Sequence, residues 1–303
     1  MSDVPEVDLD EILTFTKQLI KNVYWVKQEL SVKPDKEHHA VAINYVDLKE
    51  RRDFFLQELV ATVTSWVYSK KKFRAILDDR LAMTNGDEGN AAAFISNLAS
   101  SKFRKGHPQG QMGELILFNF IQAFFQAVPL LRKQRITTST GHERFGADAI
   151  HYKNEEDEQV FILGESKCYK SDYKFKQAFE VSIESIGDTF KKLDSELNLY
   201  IYDDFIEDEL RDVAIKYKDG DLGKVKFELV CLVIYNETKK INGEDEEKIK
   251  SQILEVIHNR CMSIDESVFN GLEKNLVPRL NYIIFPVWEL DDLLSKFMKM
   301  VGA

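Results

Sequence analysis

The sequence predicts an α/β protein in which a mixed β-sheet is flanked by helices and preceded by an N-terminal α+β segment. Three observations carry this reading. Residues 130–138, 145–152 and 159–168 are short runs joined by tight connections, the pattern of a three-stranded meander. Two helices bracket that meander: 111–128, apolar on nearly every side, and 174–197, with apolar residues every three or four positions. A nearly continuous apolar run then follows from Phe227 to Tyr235. Helices on both faces of a sheet are the natural way to hide such runs.

Taken in order, Asp10 to Lys21 has helical spacing through Ile12, Leu13, Phe15 and Leu19, with acidic residues at its start. Short strands are expected at 22–32 and 39–45, split by a Pro34-Asp35 turn. His38 and His39 lie beside Lys36 and Glu37 and are expected in a solvated loop. Leu48 to Tyr68 reads as one strong helix, with shorter ones at 71–83 and 90–103. The stretch Gly106 to Gly113 marks the expected boundary between a front domain, 1–105, and a second domain, 106–303. Its three glycines lack the Gly-Lys-Ser/Thr of a phosphate-binding loop and do not follow a strand. After the meander, a helix is expected near 206–216 and another at 245–261, then a strand at 282–287 and a closing helix at 290–300.

Composition narrows the function classes. At 303 residues and 44% apolar, the chain can bury a large core. Its longest apolar run, Leu115 to Leu131, contains Asn119, Gln122, Gln126 and Pro129 and is shorter than the roughly 20 residues of a spanning helix. A soluble, cytoplasmic protein with no membrane partner is therefore expected. Cys168, Cys231 and Cys261 are far apart and odd in number, which suits a reducing compartment. The net charge of −10 argues against polyanion binding over the whole surface. Residues 101–176 nevertheless carry +3, so the remainder carries −13. An acidic body with one basic groove fits local polyanion binding, and ordinary charge scatter gives the same counts.

The chemistry concentrates in Phe161-Ile162-Leu163-Gly164-Glu165-Ser166-Lys167. Side chains alternate along a strand, so Glu165 and Lys167 leave one face together with Phe161 and Leu163. Asp148 ends the preceding strand, 17 residues earlier. Glu114 is the only charge in an otherwise apolar helix, and a buried carboxylate must be paired, protonated or metal-bound. At a first turn it also complements the helix dipole. Magnesium takes a few carboxylate oxygens plus water and substrate phosphate. Asp148 and Glu165 are expected to hold it, with Mn²⁺ as a substitute and Glu114 as a third ligand, while Lys167 serves water and phosphate. The bland alternative is a plain salt bridge between residues two apart.

Secondary candidates surround this group. Lys170, Lys174 and Lys176 around the next helix start, and Arg135 in the first meander strand, are candidate phosphate contacts or solvated surface. Gln177 is a further residue able to approach the site. His151 and Cys168 have the wrong parity and are expected to face away.

The motif Asp148 … Glu165-Ser166-Lys167, with Glu114 on the helix before the meander, resembles the PD-(D/E)xK, or restriction-endonuclease-like, nuclease superfamily. Its core is a helix, a three-stranded meander, a helix and a further strand. Ala147 stands where the superfamily's name has proline, at a position that varies widely. The wider pattern Gly113-Glu114, Arg144-Phe145-Gly146-Ala147-Asp148 and Gly164 to Lys167 also resembles the HamA family, nuclease subunits of the Hachiman anti-phage system, over most of the chain. The resemblance implies a metal-dependent DNA endonuclease held in check by a helicase of the HamB type, with residues 1–105 as the expected docking site. A non-cleaving DNA-binding regulatory subunit with the same fold is the alternative.

Overall fold

The computed structural model describes residues 16–103, 108–132, 146–155, 158–200, 206 and 210–302. The front segment contains helix α1 (Lys17–Ile20), strands β1 (Val23–Glu29) and β2 (Glu37–Ile43), and a small hairpin of β3 (Tyr45–Val46) and β4 (Lys49–Glu50). Helices α2 (Arg52–Ala61), α3 (Val63–Val67), α4 (Lys70–Met83) and α5 (Glu88–Ser100) follow. Next come helix α6 (Pro108–Phe125), the meander β5 (Val128–Leu131), β6 (Ala149–Glu155) and β7 (Glu158–Tyr169), and helix α7 (Phe175–Tyr200). Helix α8 (Arg211–Asp219), β8 (Val225–Glu237), α9 (Glu246–Met262), β9 (Leu280–Trp288) and α10 (Leu290–Val301) complete the chain. The expected α/β architecture is thus present.

One seven-stranded sheet runs β1-β2-β9-β8-β7-β6-β5. The β5–β6–β7 meander and the β1–β2 pair are antiparallel, whereas the β7–β8, β8–β9 and β9–β2 pairs are parallel. β2 lies beside β9 through His39↔Ile283 and Ala40↔Ile284. The boundary expected at 105/106 therefore does not separate two sheets: front and rear segments share one.

Strand alternation sorts the core into two layers. Phe161 and Leu163 of β7 pack with Phe179, Ile183 and Ile186 of α7 and with Ile253 and Ile257 of α9. Val160 and Ile162 pack on the opposite face with Leu117 and Ile121 of α6, Phe55 of α2 and Phe297 of α10. Fully burying such a side chain stabilises by about 1.5–3 kcal/mol, so both helical layers are firmly held. Gly164 admits α6 closely: a Cβ there would lie 2.8 Å from Ile121 Cδ1 and 2.9 Å from Leu117 Cδ2.

Two local expectations change, and two others fall partly outside the described residues. Leu48 to Tyr68 is not one helix; a hairpin precedes two helices that meet at Thr62. Only Lys17–Ile20 of the expected first helix is described, and positions 133–138 of the expected 130–138 strand lie outside the described residues. His38 and His39 are buried in β2 rather than solvated. Each imidazole finds its own partner. His38 accepts from the Tyr282 amide at Nδ1 and donates from Nε2 to the Pro34 carbonyl. His39 Nδ1 accepts from Trp25 Nε1, and its ring stacks on Phe124.

Candidate active site

The register of one hairpin builds the site. β6 and β7 pair from Glu155↔Glu158 down to Ala149↔Gly164, so Asp148 stands opposite Glu165. The pairing is held at that end by two bonds. The Asp148 amide donates to the Gly164 carbonyl at 3.0 Å, and the Ser166 amide donates to Asp148 Oδ2 at 2.9 Å. Parity then sends Glu165 and Lys167 to the α7 face. There Glu165 Oε1 accepts from Lys167 Nζ at 2.6 Å and from Ser185 Oγ at 2.8 Å.

Glu165 is 4% exposed, and its second oxygen, Oε2, is buried without a hydrogen-bond partner. An unsatisfied buried polar atom costs about 1–3 kcal/mol, more when charged. Burial raises the Glu165 pKa and the nearby Asp148 carboxylate raises it further, while Lys167 and Ser185 oppose them; the net shift is upward. For Lys167, burial pulls the pKa down, but Glu165 and Asp148 outweigh it, so the ammonium stays protonated. The arrangement gathers two carboxylates and a committed cation at a strand end, with one oxygen left for a further ligand.

That donor set fits a hard divalent cation. Carboxylate oxygens suit Mg²⁺, which binds through one or two carboxylates and keeps water and phosphate in its other positions. Asp148 and Glu165 Oε2 would hold it. Among the described residues, no three His, Cys, Asp or Glu side chains form a group able to hold a metal ion. Glu114 therefore does not complete such a group with the other two. The physical reason lies in the faces of β7. Gly113, beside Glu114, abuts Ser166 and Cys168 on the α6 face, while Glu165 and Lys167 face α7. Glu114 is half-buried and engaged in contacts of its own.

The remaining candidates fall as follows. Lys170 is exposed and lies 3.5 Å from Asp291; Lys176 is exposed and 3.8 Å from Glu180. Lys174 and Gln177 are also exposed around the α7 start. Arg135 lies outside the described residues. His151 is buried against the Phe118 ring of α6, on the face away from the cluster. Cys168 points to that same face, and desolvation pushes its thiol up to about 12. Ser185 is the residue that motif reasoning missed. Its signal is visible in hindsight: Ser182 and Ser185 are small hydroxyls on the sheet-facing stripe of Phe179, Ile183 and Ile186.

Among the described residues, no helix is long and apolar enough to cross a membrane. The model of the HamA family matches residues 20–301, nearly the whole chain. No curated protein matches it.

Proposed function

Because the chain belongs to the HamA family of Hachiman-associated anti-phage proteins, we propose that it is a metal-dependent DNA endonuclease whose reactive group is Asp148, Glu165 and Lys167. The observation that carries this reading is the partnerless buried oxygen of Glu165, set beside Asp148 and anchored through its other oxygen by Lys167 and Ser185. A fold gains nothing from a buried carboxylate with one oxygen unsatisfied, whereas a cation-binding site needs that oxygen.

The chemistry supplied by a bound Mg²⁺ is neutralisation of phosphate charge and acidification of water. Asp148 and Glu165 would hold the ion, and they are kept in place by the Ser166 amide and Ser185 Oγ. Lys167, protonated, orients the attacking water and offsets the charge that grows on phosphate oxygen. The water oxygen bonds to phosphorus as the bond to the departing alkoxide breaks; the water's proton passes to solvent, and the alkoxide takes up a proton from solvent. Lys170, Lys174 and Lys176 contact phosphates, and a partner helicase docked on residues 1–105 restrains the nuclease.

The test incubates plasmid DNA with the purified chain and with its complex with the helicase, each with Mg²⁺ or EDTA. Cleavage that needs Mg²⁺ and disappears in Lys167→Ala supports the proposal. DNA binding without cleavage in both preparations, indifferent to EDTA and to Lys167→Ala, identifies a non-cleaving regulatory subunit instead.

A further inference from the structure

Tyr173 buries little of its ring, and its one recorded interaction is electrostatic, with Arg260. It is 78% exposed and adopts φ of 59°, the left-handed region that a bulky L-residue rarely enters. Burial does not repay that conformation, because the ring is in solvent. The other exposed aromatic side chains are each occupied. Trp25 stacks on Phe124, Phe54 lies beneath Arg51, and Phe94 lies beneath Arg80. Tyr173 has no ring or cation–π contact among the described residues.

The connection that carries it is pinned rather than loose. Asp172 Oδ1 accepts from Asn236 Nδ2 at the end of β8, and Asn236 Oδ1 accepts from the first amide of α10. Lys170 is paired with Asp291 of α10. Backbone strain held at an exposed side chain is a starting point for a functional hypothesis.

Its distance from the reactive group is bounded by chain geometry. β7 delivers Lys167 to the site and runs on through Tyr169 to the Lys170–Lys174 connection. α7 then returns Ser185 to Glu165. Six residues separate Lys167 from Tyr173, at most about 20 Å of extended chain. Ten residues of helix separate Phe175 from Ser185, about 15 Å along the axis. Tyr173 thus lies no more than about 20 Å from Lys167, between the exposed Lys170 and Lys174 in sequence.

We propose that Tyr173 is a stacking platform for an unpaired base of single-stranded DNA, entering the site between Lys170 and Lys174. The inference rests on the nuclease reading and adds a substrate class to it. Bases in a duplex have their faces covered by neighbours; only an unpaired base offers a free face to a lone exposed ring, and such stacking tolerates any base.

The test measures fluorescence anisotropy in EDTA, where cleavage is silent, with a labelled single strand, a blunt duplex and a single strand carrying abasic positions. The full chain is compared with Tyr173→Ala and Tyr173→Trp. Wild type is expected to prefer the single strand, and Tyr173→Ala to lose roughly ten-fold or more of that affinity, as for one stacked base. Tyr173→Trp is expected to retain it, and the abasic strand to bind both wild type and Tyr173→Ala alike. Tyr173→Ala is expected to unfold at no lower temperature than wild type, which separates lost stacking from lost fold. Equal binding by wild type and Tyr173→Ala, or no single-strand binding by wild type, overturns the proposal. Mg²⁺-dependent plasmid cleavage, scored on the same preparations, decides the nuclease reading separately.

Discussion

Glu165→Gln isolates the charge of the central carboxylate while keeping its shape. In the variant, the amide oxygen can still accept from Lys167 Nζ and Ser185 Oγ, the two bonds now made by Oε1. What disappears is the burial of a negative charge and its repulsion by Asp148, set against the attraction of Lys167. The folded-state pKa of Glu165 is raised, so its stability contribution is full below the unfolded carboxyl pKa and is lost as pH rises through the folded value. Wherever Glu165 is ionised, the wild type bears the cost of a half-satisfied buried carboxylate, about 1–3 kcal/mol. An amide bears only part of it. The metal-free variant is expected to be as stable as wild type or up to about 2 kcal/mol more stable. Mg²⁺ at a hundred times its dissociation constant should stabilise wild type by about 2.7 kcal/mol. For 303 residues, at about 2.1 cal/mol/K of unfolding entropy per residue, that is a rise in Tm of about 4 °C. The variant should show no rise and no cleavage. Thermal unfolding with and without Mg²⁺ reads all of this. A variant much less stable than wild type, or one equally stabilised by Mg²⁺, would refute the reasoning.

Three further outcomes are expected. Lys167→Met leaves the buried Glu165 carboxylate without its cation and should cost about 3 kcal/mol by urea unfolding, a loss largely recovered when Glu165→Gln is added. Gly164→Ala places a methyl within 2.8 Å of Ile121, 2.9 Å of Leu117 and 3.2 Å of Ala149 beside the site; overpacking of this kind costs about 1–3 kcal/mol, read as a lower Tm together with slower cleavage. The buried imidazoles of His38 and His39 are held neutral, their pKa values lowered by burial to about 4 and about 3. Their contribution is complete above the unfolded histidine pKa near ~6.5 and falls as pH drops toward those values, by about 1.4 kcal/mol per pH unit for each. Tm measured between pH 7 and 5 should fall steeply, and His39→Gln should flatten the slope.

Local order in the sequence foretold the meander and the reactive pair. Strand alternation alone puts Glu165 and Lys167 on one face, and the hairpin closing at Glu155–Glu158 fixes the register that sets Asp148 opposite Glu165. Three features carried no local signal. The β2–β9 pairing joins residues some 240 positions apart, so the front strands gave no sign of completing the rear sheet. His38 and His39 broke the apolar pattern of β2, because their partners, the Tyr282 amide and Trp25 Nε1, are visible only once the strands are assembled. Glu114 promised a third ligand because it is a lone charge on an apolar helix, yet the sequence does not say which face of β7 that helix covers. α6 covers the face of Ser166 and Cys168.

The claim on which the account stands is that Asp148 and Glu165 share a divalent cation. Anomalous diffraction from crystals soaked in Mn²⁺ measures it directly. The expected result is a single strong peak about 2 Å from Glu165 Oε2 and an Asp148 oxygen, absent in Glu165→Gln. Crystals of a protein that cleaves DNA in Mn²⁺ but shows its peak elsewhere would contradict the assignment.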